Sequence, residues 1–240
     1  MIAGAAFCPH PPALVPAVAA GAAGDLADVL AACDEALERL AADAPVVVVL
    51  GAGPTTGRLP PRARGALSGF GVGGVDGMDP ADEATPRHDG SPLPLALMMG
   101  RWLVDRRPEL VVKALVAVGP ADIAVALDEL GGVTTSERVG LLVMGDGSAR
   151  HGAKAPGYHD ARAAGYDQAV RAALATGDAA ALTGLDADLA AALLSAGGPP
   201  WRAAGSALRK ETGNAAWAGH LLYSAAPFGV GYHVAYWRRP

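Results

Sequence analysis

The stretch Gly140–Gly152, GLLVMGDGSARHG, decides the fold prediction because a short apolar run passes directly into a polar loop. The run Gly140–Met144 has the length and composition of a buried strand, and a glycine follows it. The loop then brings a carboxylate, a hydroxyl and an imidazole close together, on Asp146, Ser148 and His151. Polar loops at the carboxyl ends of strands are where α/β proteins place their ligand sites.

Similar apolar runs elsewhere in the chain predict further buried strands. Each is short, mostly apolar, and followed by glycine or proline: Ile2–Cys8, Val46–Leu50 and Val112–Val118. The alternation in Gly229–Trp237 predicts a last strand. Helical periodicity covers the stretches 25–42, 93–106, 121–130, 160–175, 178–195 and 212–223, and Asp25 is placed to cap the first of them. Alternating strands and helices predict an α/β fold with three layers, in which helices cover both faces of a largely parallel central sheet.

Composition narrows the possible functions. The chain has 240 residues, of which 51% are hydrophobic, and this fits a single α/β domain spanning 1–240. The formal net charge is −5 and no long basic run occurs, so no nucleic-acid partner is expected. No apolar stretch reaches the roughly 18 residues of a membrane span, so no membrane partner is expected either. Two cysteines, Cys8 and Cys33, cannot form a disulfide framework, and a cytoplasmic location is expected.

A histidine between prolines follows the first predicted strand, in the segment Cys8–Pro12, CPHPP. The prolines restrict the backbone around His10, and a rigidly placed imidazole suits a metal ligand or a general base. The alternative is a turn in which the histidine only bonds a neighbouring carbonyl. Because the carboxyl ends of parallel strands share one crevice, we expect His10 to lie in the same pocket as at least one polar side chain of the loop Gly145–Gly152.

The remaining histidines carry weaker signals. His88 lies in a segment rich in glycine and proline, and His159 lies at the predicted start of a helix. His220 lies within a predicted helix, and His233 is expected to point opposite to Tyr232 on the last strand. A solvated or structural histidine is the default interpretation in each case, so the sequence assigns them no role.

Five segments, in order along the chain, resemble one known family. They are Phe7–Pro12 (FCPHPP), Val46–Pro54 (VVVVLGAGP), Leu141–His151 (LLVMGDGSARH), Lys154–Tyr158 (KAPGY) and Pro227–Trp237 (PFGVGYHVAYW). On these segments the chain resembles the class III extradiol ring-cleavage dioxygenases of the LigB-like superfamily, and most closely the alanine-rich subgroup found in actinobacteria. The resemblance implies a single LigB-like α/β domain with its site at the strand ends. Since relatives often work as a homodimer or with a second subunit, it implies such an assembly here too.

In active members of this family, two histidines and a glutamate hold a non-haem Fe(II), and another histidine acts as acid/base. Here His10 matches the first histidine ligand, whereas Ala52 stands where the second is expected. His151 lies two residues beyond the position of the catalytic histidine, and the context of Glu211 does not match the glutamate ligand. The resemblance therefore implies Fe(II) only if the chain is catalytically active, with His10 as ligand and His151 as acid/base, and it predicts an incomplete iron site.

Three hypotheses about function stay open at this point. The first is a dioxygenase-like protein that cleaves a catechol-like aromatic ring with O₂. Its iron site would be completed by other groups, namely Asp146, His151, Asp122 or His88. The second is a non-catalytic ligand-binding or assembly protein on the same fold, without a cofactor. The third is a metal-independent hydrolase that uses Ser148 with His151 and Asp146. The leading hypothesis places the site in one cleft ringed by His10, Asp146, Ser148 and His151.

Overall fold

The computed structural model describes residues 1–65, 67–72, 93–134, 137–213 and 215–240. Within these ranges the chain forms a seven-stranded mixed sheet with helices on both faces, so the predicted α/β fold is confirmed. The strands are Ile2–Cys8 (β1), Val46–Ala52 (β2), Gly57–Leu59 (β3), Val111–Val118 (β4), Val139–Met144 (β5), Ala218–Ala225 (β6) and Tyr232–Arg238 (β7). The helices are Pro16–Ala19 (α1), Ala27–Asp43 (α2), Leu95–Asp105 (α3), Ile123–Thr134 (α4), Ala163–Thr176 (α5), Ala179–Thr183 (α6), Ala187–Ala192 (α7) and Gly198–Thr212 (α8). None of these helices combines the length and the apolar character that crossing a membrane requires.

The sheet has the strand order β3-β4-β2-β5-β1-β7-β6. Strands β4, β2, β5 and β1 run parallel to their neighbours within this group, whereas β3, β7 and β6 pair antiparallel. The parallel strands are the ones that the apolar runs predicted, because a strand covered on both faces needs apolar side chains on both sides. The prediction of a largely parallel sheet therefore holds for its centre, and antiparallel strands extend it at both edges.

Two apolar clusters cover the two faces of the sheet. On the first face, α2 and α3 pack against the strands, with Leu37, Leu97 and Leu142 fully buried. On the second face, α4, α5 and α8 pack, and Trp201 and Trp237 are almost completely buried. Consecutive residues of a strand point to opposite faces, so the face of each site residue follows from its place along its strand.

Residues 212–223 do not form the predicted helix. Helix α8 ends at Thr212, Gly213 takes a positive φ of 65°, and Ala218–Ala225 pair with β7 as the antiparallel strand β6. Apolar spacing over a short segment suits a helix or a strand, and here the pairing with β7 decides between them. His220 therefore lies on a strand, where its ring stacks on Tyr236 with a centroid separation of 6.4 Å.

The predicted helix 178–195 is divided into the short helices α6 and α7. Asp178 caps α6 and Asp186 caps α7, each by accepting a hydrogen bond from the backbone N–H three residues further on. An aspartate that accepts such an N–H favours the start of a new helix. The two aspartates therefore begin two separate helices in a segment that its alanine-rich pattern predicted to be one helix. Asp25 is not a cap, because α2 begins at Ala27 without any side-chain cap.

Candidate active site

The carboxyl ends of β1 and β5 lie side by side because the two strands are parallel neighbours. The loop after β5 then runs along the start of β7. Its Gly147 N–H donates to the carbonyl of Gly231, and the Gly231 N–H donates to the carbonyl of Ser148. On its other side, the N–H of Ala149 donates to the carbonyl of Leu193. The polar loop is therefore held between β7 and the end of α7.

His10 and Asp146 meet at this edge of the sheet. The backbone N–H of His10 donates to Oδ1 of Asp146 over 2.8 Å, and His10 Nδ1 lies 3.4 Å from the same oxygen. Burial raises the pKa of Tyr232 far above its ordinary value, and the negative charge of Asp146 raises it further. The expected contact between the two strand-end loops is therefore confirmed, and Tyr232 is the third polar group beside it.

Tyr232 and His233, which are consecutive on β7, point to opposite faces of the sheet. Tyr232, which the charge of Asp146 affects, belongs to the apolar cluster of the first face. The next residue, His233, points to the second face, where it is 3% exposed and its ring centroid lies 6.2 Å from that of Trp201. The expectation that His233 points opposite to Tyr232 is confirmed. The predicted cleft ringed by all four residues does not match the cleft that His151 lines, because His10, Asp146 and Ser148 are not among the residues that line it.

Ser148 is fully buried, and its hydroxyl is used within the fold. Its Oγ donates to the carbonyl at the end of α7 over 3.2 Å and accepts a backbone N–H two residues further on. A serine nucleophile must instead be accessible and next to a base. His151 bonds to Asp167, and Asp146 faces His10. The predicted relay of Ser148, His151 and Asp146 is therefore wrong.

A buried aspartate on α5 lies at the centre of the second-face site. Asp167 Oδ2 lies 2.5 Å from His151 Nε2, and Asp167 Oδ1 accepts the backbone N–H of Ser148 over 2.9 Å. The Nε2 atom of His233 lies 3.8 Å from Oδ1. One carboxylate, on a side chain that is 7% exposed, therefore faces two imidazoles.

The pKa of Asp167 results from opposing effects. Burial acts to raise it, because burial disfavours the charged form. The imidazole of His233, the backbone N–H of Ser148 and the imidazole of His151 outweigh burial, and the pKa lies below its ordinary value. Asp167 is therefore a carboxylate at neutral pH. Such a carboxylate favours the N–H form of the ring nitrogen that faces it, which leaves the other nitrogen of each histidine as an acceptor.

His233 continues the network to Ser224 on β6. These two residues are directly opposite each other in the antiparallel pairing of β6 with β7, and Ser224 Oγ lies 2.9 Å from His233 Nδ1. Ser224 is half-buried, whereas His233 is buried. The resulting order of groups is Ser224, His233, Asp167 and His151.

These groups line a cleft of about 220 Å³ between α5 and the β6–β7 hairpin, which we call the Asp167 cleft. Gln168 and Arg171, which follow Asp167 on α5, also line it. Gly231 lies in its wall, where a Cβ atom would overlap Oδ2 of Asp167. Glycine at this position therefore lets the carboxylate approach the start of β7.

No protein-family model matches the chain, and no curated protein matches it in sequence. The arrangement of its own side chains is then the basis on which a function is assigned. Two groups of polar side chains are available: the pair His10 and Asp146 after the ends of β1 and β5, and the Asp167 cleft on the second face.

The pair His10 and Asp146 does not fit the iron site that the resemblance implies. A facial triad needs three donors held to one side of the metal. His10 faces the single carboxylate of Asp146, and Ala52 at the end of β2 has no donor atom. Asp122 follows β4, three strand positions from β1, and His88 lies outside the described residues. Among the described residues, no three histidine, cysteine, aspartate or glutamate side chains are grouped to hold a metal.

The second-face histidines are also oriented towards a carboxylate rather than towards a shared metal position. His151 and His233 present the same atom, Nε2, to different oxygens of Asp167. His151 Nε2 is placed to donate to Asp167, whereas His233 Nε2 lies too far from the carboxylate for a hydrogen bond, and this arrangement favours proton transfer over metal ligation. In the described part of the chain, neither group of side chains supplies a donor set that fits a metal.

The four histidines without a predicted role fall into three classes. His159 is exposed in the loop before α5, and His220 is exposed on β6. His88 lies outside the described residues. His233 lines the Asp167 cleft. The sequence analysis did not predict a role for His233 or for its partners Asp167 and Ser224.

One sequence signal would have found Asp167. The residue lies on the buried stripe of α5, together with Ala163, Val170 and Leu174, where a charged side chain is exceptional. A buried carboxylate needs hydrogen-bonding or positively charged partners, and at a functional site these are often histidines. Ser224 offers no comparable signal, because serine is common on exposed strand edges.

Proposed function

We propose that this protein is a metal-independent acid–base enzyme that hydrolyses small-molecule esters in the Asp167 cleft. The observation that supports it is the 2.5 Å contact between His151 Nε2 and Asp167 Oδ2 in an open cleft. A carboxylate that orients an imidazole is the recurring arrangement of a general acid/base. The proposal retains the acid/base role that the resemblance implies for His151, and it replaces Asp146 with Asp167 as the orienting carboxylate.

Asp167 prepares His151 for proton transfer in two ways. Its negative charge stabilises the imidazolium form, and its Oδ2 holds the proton on Nε2. The histidine side chain is 21% exposed and lines the cleft, and Nδ1 is the ring nitrogen that does not contact Asp167. Nδ1 takes a proton from the attacking water and returns it to the leaving oxygen. The N–H groups of Gln168 and Arg171 are the donors available in the cleft for the negative charge on the carbonyl oxygen.

The size and charge of the cleft favour a small polar substrate. Its volume of about 220 Å³ is below the range of about 300–1,000 Å³ that drug-sized ligands occupy. Arg171 is a cation at the wall, and it suits a substrate with a carbonyl or an anionic group.

The competing proposal, O₂-dependent cleavage of a catechol-like aromatic ring, needs iron donors beyond the pair His10 and Asp146. Three further statements stay predictions: that the chain belongs to the LigB-like family, that residues 1–240 form a single domain, and that the protein assembles as a homodimer or with a second subunit.

Replacing His151 with glutamine tests the proposal directly. Glutamine occupies a similar volume but cannot take up a proton, so we expect kcat/KM for 4-nitrophenyl acetate to fall by about 10²-fold or more. The matched control is His159→Gln, since His159 is exposed and does not line the cleft. Equal activity of the two variants would contradict the proposal, as would a native protein without esterase activity.

Elemental analysis of protein purified without oxygen compares the proposal with the dioxygenase alternative. We expect native protein to carry far less than one iron per chain, because His10 has a single carboxylate partner and Ala52 has no donor. The substitution Ala52→His adds an imidazole where the resemblance expects one, and we expect it to increase Fe(II) affinity. Native protein that holds one Fe(II) and opens a catechol ring would overturn the metal-independent proposal.

A further inference from the structure

Ser224 lies where neither the sequence nor the resemblance places a functional residue. We infer that Ser224 is a covalent nucleophile activated by His233, so that hydrolysis in the Asp167 cleft passes through an acyl-enzyme on Ser224. The inference rests on the proposed function, because it uses the same cleft and the same carboxylate. It adds the reaction class, which is acyl transfer from an ester to a serine and then to water.

The position of Ser224 suits a nucleophile. Its Oγ lies 2.9 Å from His233 Nδ1, within the reach that proton transfer requires. Ser224 is half-buried and lines the cleft, whereas His233 is 3% exposed. A substrate can therefore reach the hydroxyl while the base behind it is shielded from water. Ser148, the other serine of the region, has neither access nor a neighbouring base.

The charge of Asp167 selects the tautomer of His233 that this role needs. His233 Nε2 is buried and has no hydrogen-bond partner in the described part of the chain, and Asp167 Oδ1 lies 3.8 Å from it. The carboxylate favours the proton on Nε2, and the lone pair on Nδ1 then faces the serine hydroxyl. As His233 becomes an imidazolium, its attraction to Asp167 grows and the distance can shorten, because catalytic contacts are often looser without substrate.

The reaction can be written with every atom assigned. Ser224 Oγ forms a bond to the ester carbonyl carbon, and its proton moves to His233 Nδ1. The bond to the leaving oxygen breaks, and that oxygen takes the proton held by His233, which releases the alcohol. Water then attacks the acyl-serine and gives a proton to His151 Nδ1, which passes it to Ser224 Oγ as that oxygen leaves. Ester and water become acid and alcohol, and both histidines return to their starting states.

A fluorophosphonate probe tests the inference without knowledge of the natural substrate. The serine oxygen displaces fluoride from phosphorus, so labelling adds one stable mass at the nucleophile. We expect a single adduct in native protein, mapped by mass spectrometry to the β6 peptide that contains Ser224. Ser224→Ala should remove the adduct, whereas Ser206→Ala should leave it unchanged, since the Ser206 hydroxyl bonds within α8. No adduct, or an adduct on another residue, would overturn the inference.

The role of His233 has its own measurement. We expect His233→Gln to lower the labelling rate by about 10²-fold or more while the circular dichroism spectrum stays native. Because His233 is buried and this variant can fail to fold, a second measurement uses native protein alone. Rapid mixing with 4-nitrophenyl acetate should release a burst of about one 4-nitrophenolate per chain, followed by slower turnover. A linear release without a burst, together with unlabelled Ser224, would contradict an acyl-enzyme.

The outcomes separate this inference from the proposed function. If Ser224→Ala hydrolyses ester at the native rate and His151→Gln does not, the inference is wrong and the acid–base proposal stands. If Ser224 is labelled and His151→Gln hydrolyses ester at the native rate, the role of His151 is wrong and the serine nucleophile stands. If both variants lose turnover but only Ser224→Ala loses labelling, the proposed function and the inference about Ser224 are both supported.

Discussion

Replacing Asp167 with asparagine is expected to lower kcat for 4-nitrophenyl acetate by about 10⁴-fold. The amide keeps the volume of the side chain, and its carbonyl oxygen is expected at the Oδ1 position, where it accepts the Ser148 N–H. Its N–H₂ group then faces His151 Nε2 in place of Oδ2 and drives this ring to the opposite tautomer, so Nδ1 of His151 cannot act as the base described above. His233 loses the negative charge that favours the proton on its Nε2. The control is Asp188→Asn, at an exposed position in α7.

The same substitution should change how stability depends on pH. Because partners lower the pKa of Asp167 in the folded state, its carboxylate stabilises the fold above the unfolded-state pKa of about 3.9, and this contribution is lost as the pH falls through the lowered folded-state pKa. At pH 7 we expect Asp167→Asn to reduce the free energy of unfolding by about 1–3 kcal/mol. Below pH 4 the difference between the two proteins should shrink. Urea unfolding at both pH values measures it, and a difference independent of pH would contradict the assignment.

Replacing Trp237 with alanine is expected to reduce the free energy of unfolding by about 3–5 kcal/mol. Trp237 lies on β7, is completely buried on the second face, and has its ring centroid 4.9 Å from that of Phe7 on β1. Its Nε1 also donates to the carbonyl of Leu174 over 2.7 Å, which ties β7 to α5. Alanine removes the ring, leaves a cavity and loses this hydrogen bond. Urea unfolding at neutral pH measures the change.

A phenylalanine at the same position separates packing from hydrogen bonding. Trp237→Phe keeps most of the ring volume and loses the Nε1–H donor, so we expect a smaller loss, of about 1–3 kcal/mol. Because Trp237 also helps to hold α5 against β7, the alanine variant should lower esterase activity, whereas the phenylalanine variant should retain most of it. Equal stability of the two variants would show that the cavity contributes nothing and would contradict the first estimate.

Local patterns were enough to predict the centre of the sheet. Ile2–Cys8 and Val46–Leu50 are apolar throughout, Val112–Val118 is apolar except for Lys113, and a strand covered on both faces requires such a run. The contact between His10 and Asp146 was predictable for a related reason, because parallel neighbours bring their carboxyl ends to the same edge. The part of the site that follows directly from strand order was therefore accessible from the sequence.

The partners of His151 were not predictable in this way. His151 lies on a loop and Asp167 lies on a helix 16 residues further along the chain. No local sequence pattern predicts which loop packs against which face of α5. The sequence predicted Ser148 as a nucleophile because Asp146 and His151 are close to it along the chain. The sequence does not reveal that the Ser148 side chain is buried. The structure turns its hydroxyl into the protein, where it holds the loop to the end of α7.

The sequence by itself determined the α/β class, the parallel centre of the sheet and the placement of polar loops at the strand ends, since these depend on the hydrophobicity and chain reach of short segments. Only the tertiary structure decided that Ala218–Ala225 is a strand, because its hydrogen bonds are completed by β7. That pairing sets Ser224 opposite His233, and the direction of β7 turns His233 to the second face and Tyr232 to the first. Which polar side chains share a cleft is therefore fixed by strand register and by the packing of α5, and these arise from contacts between distant parts of the chain.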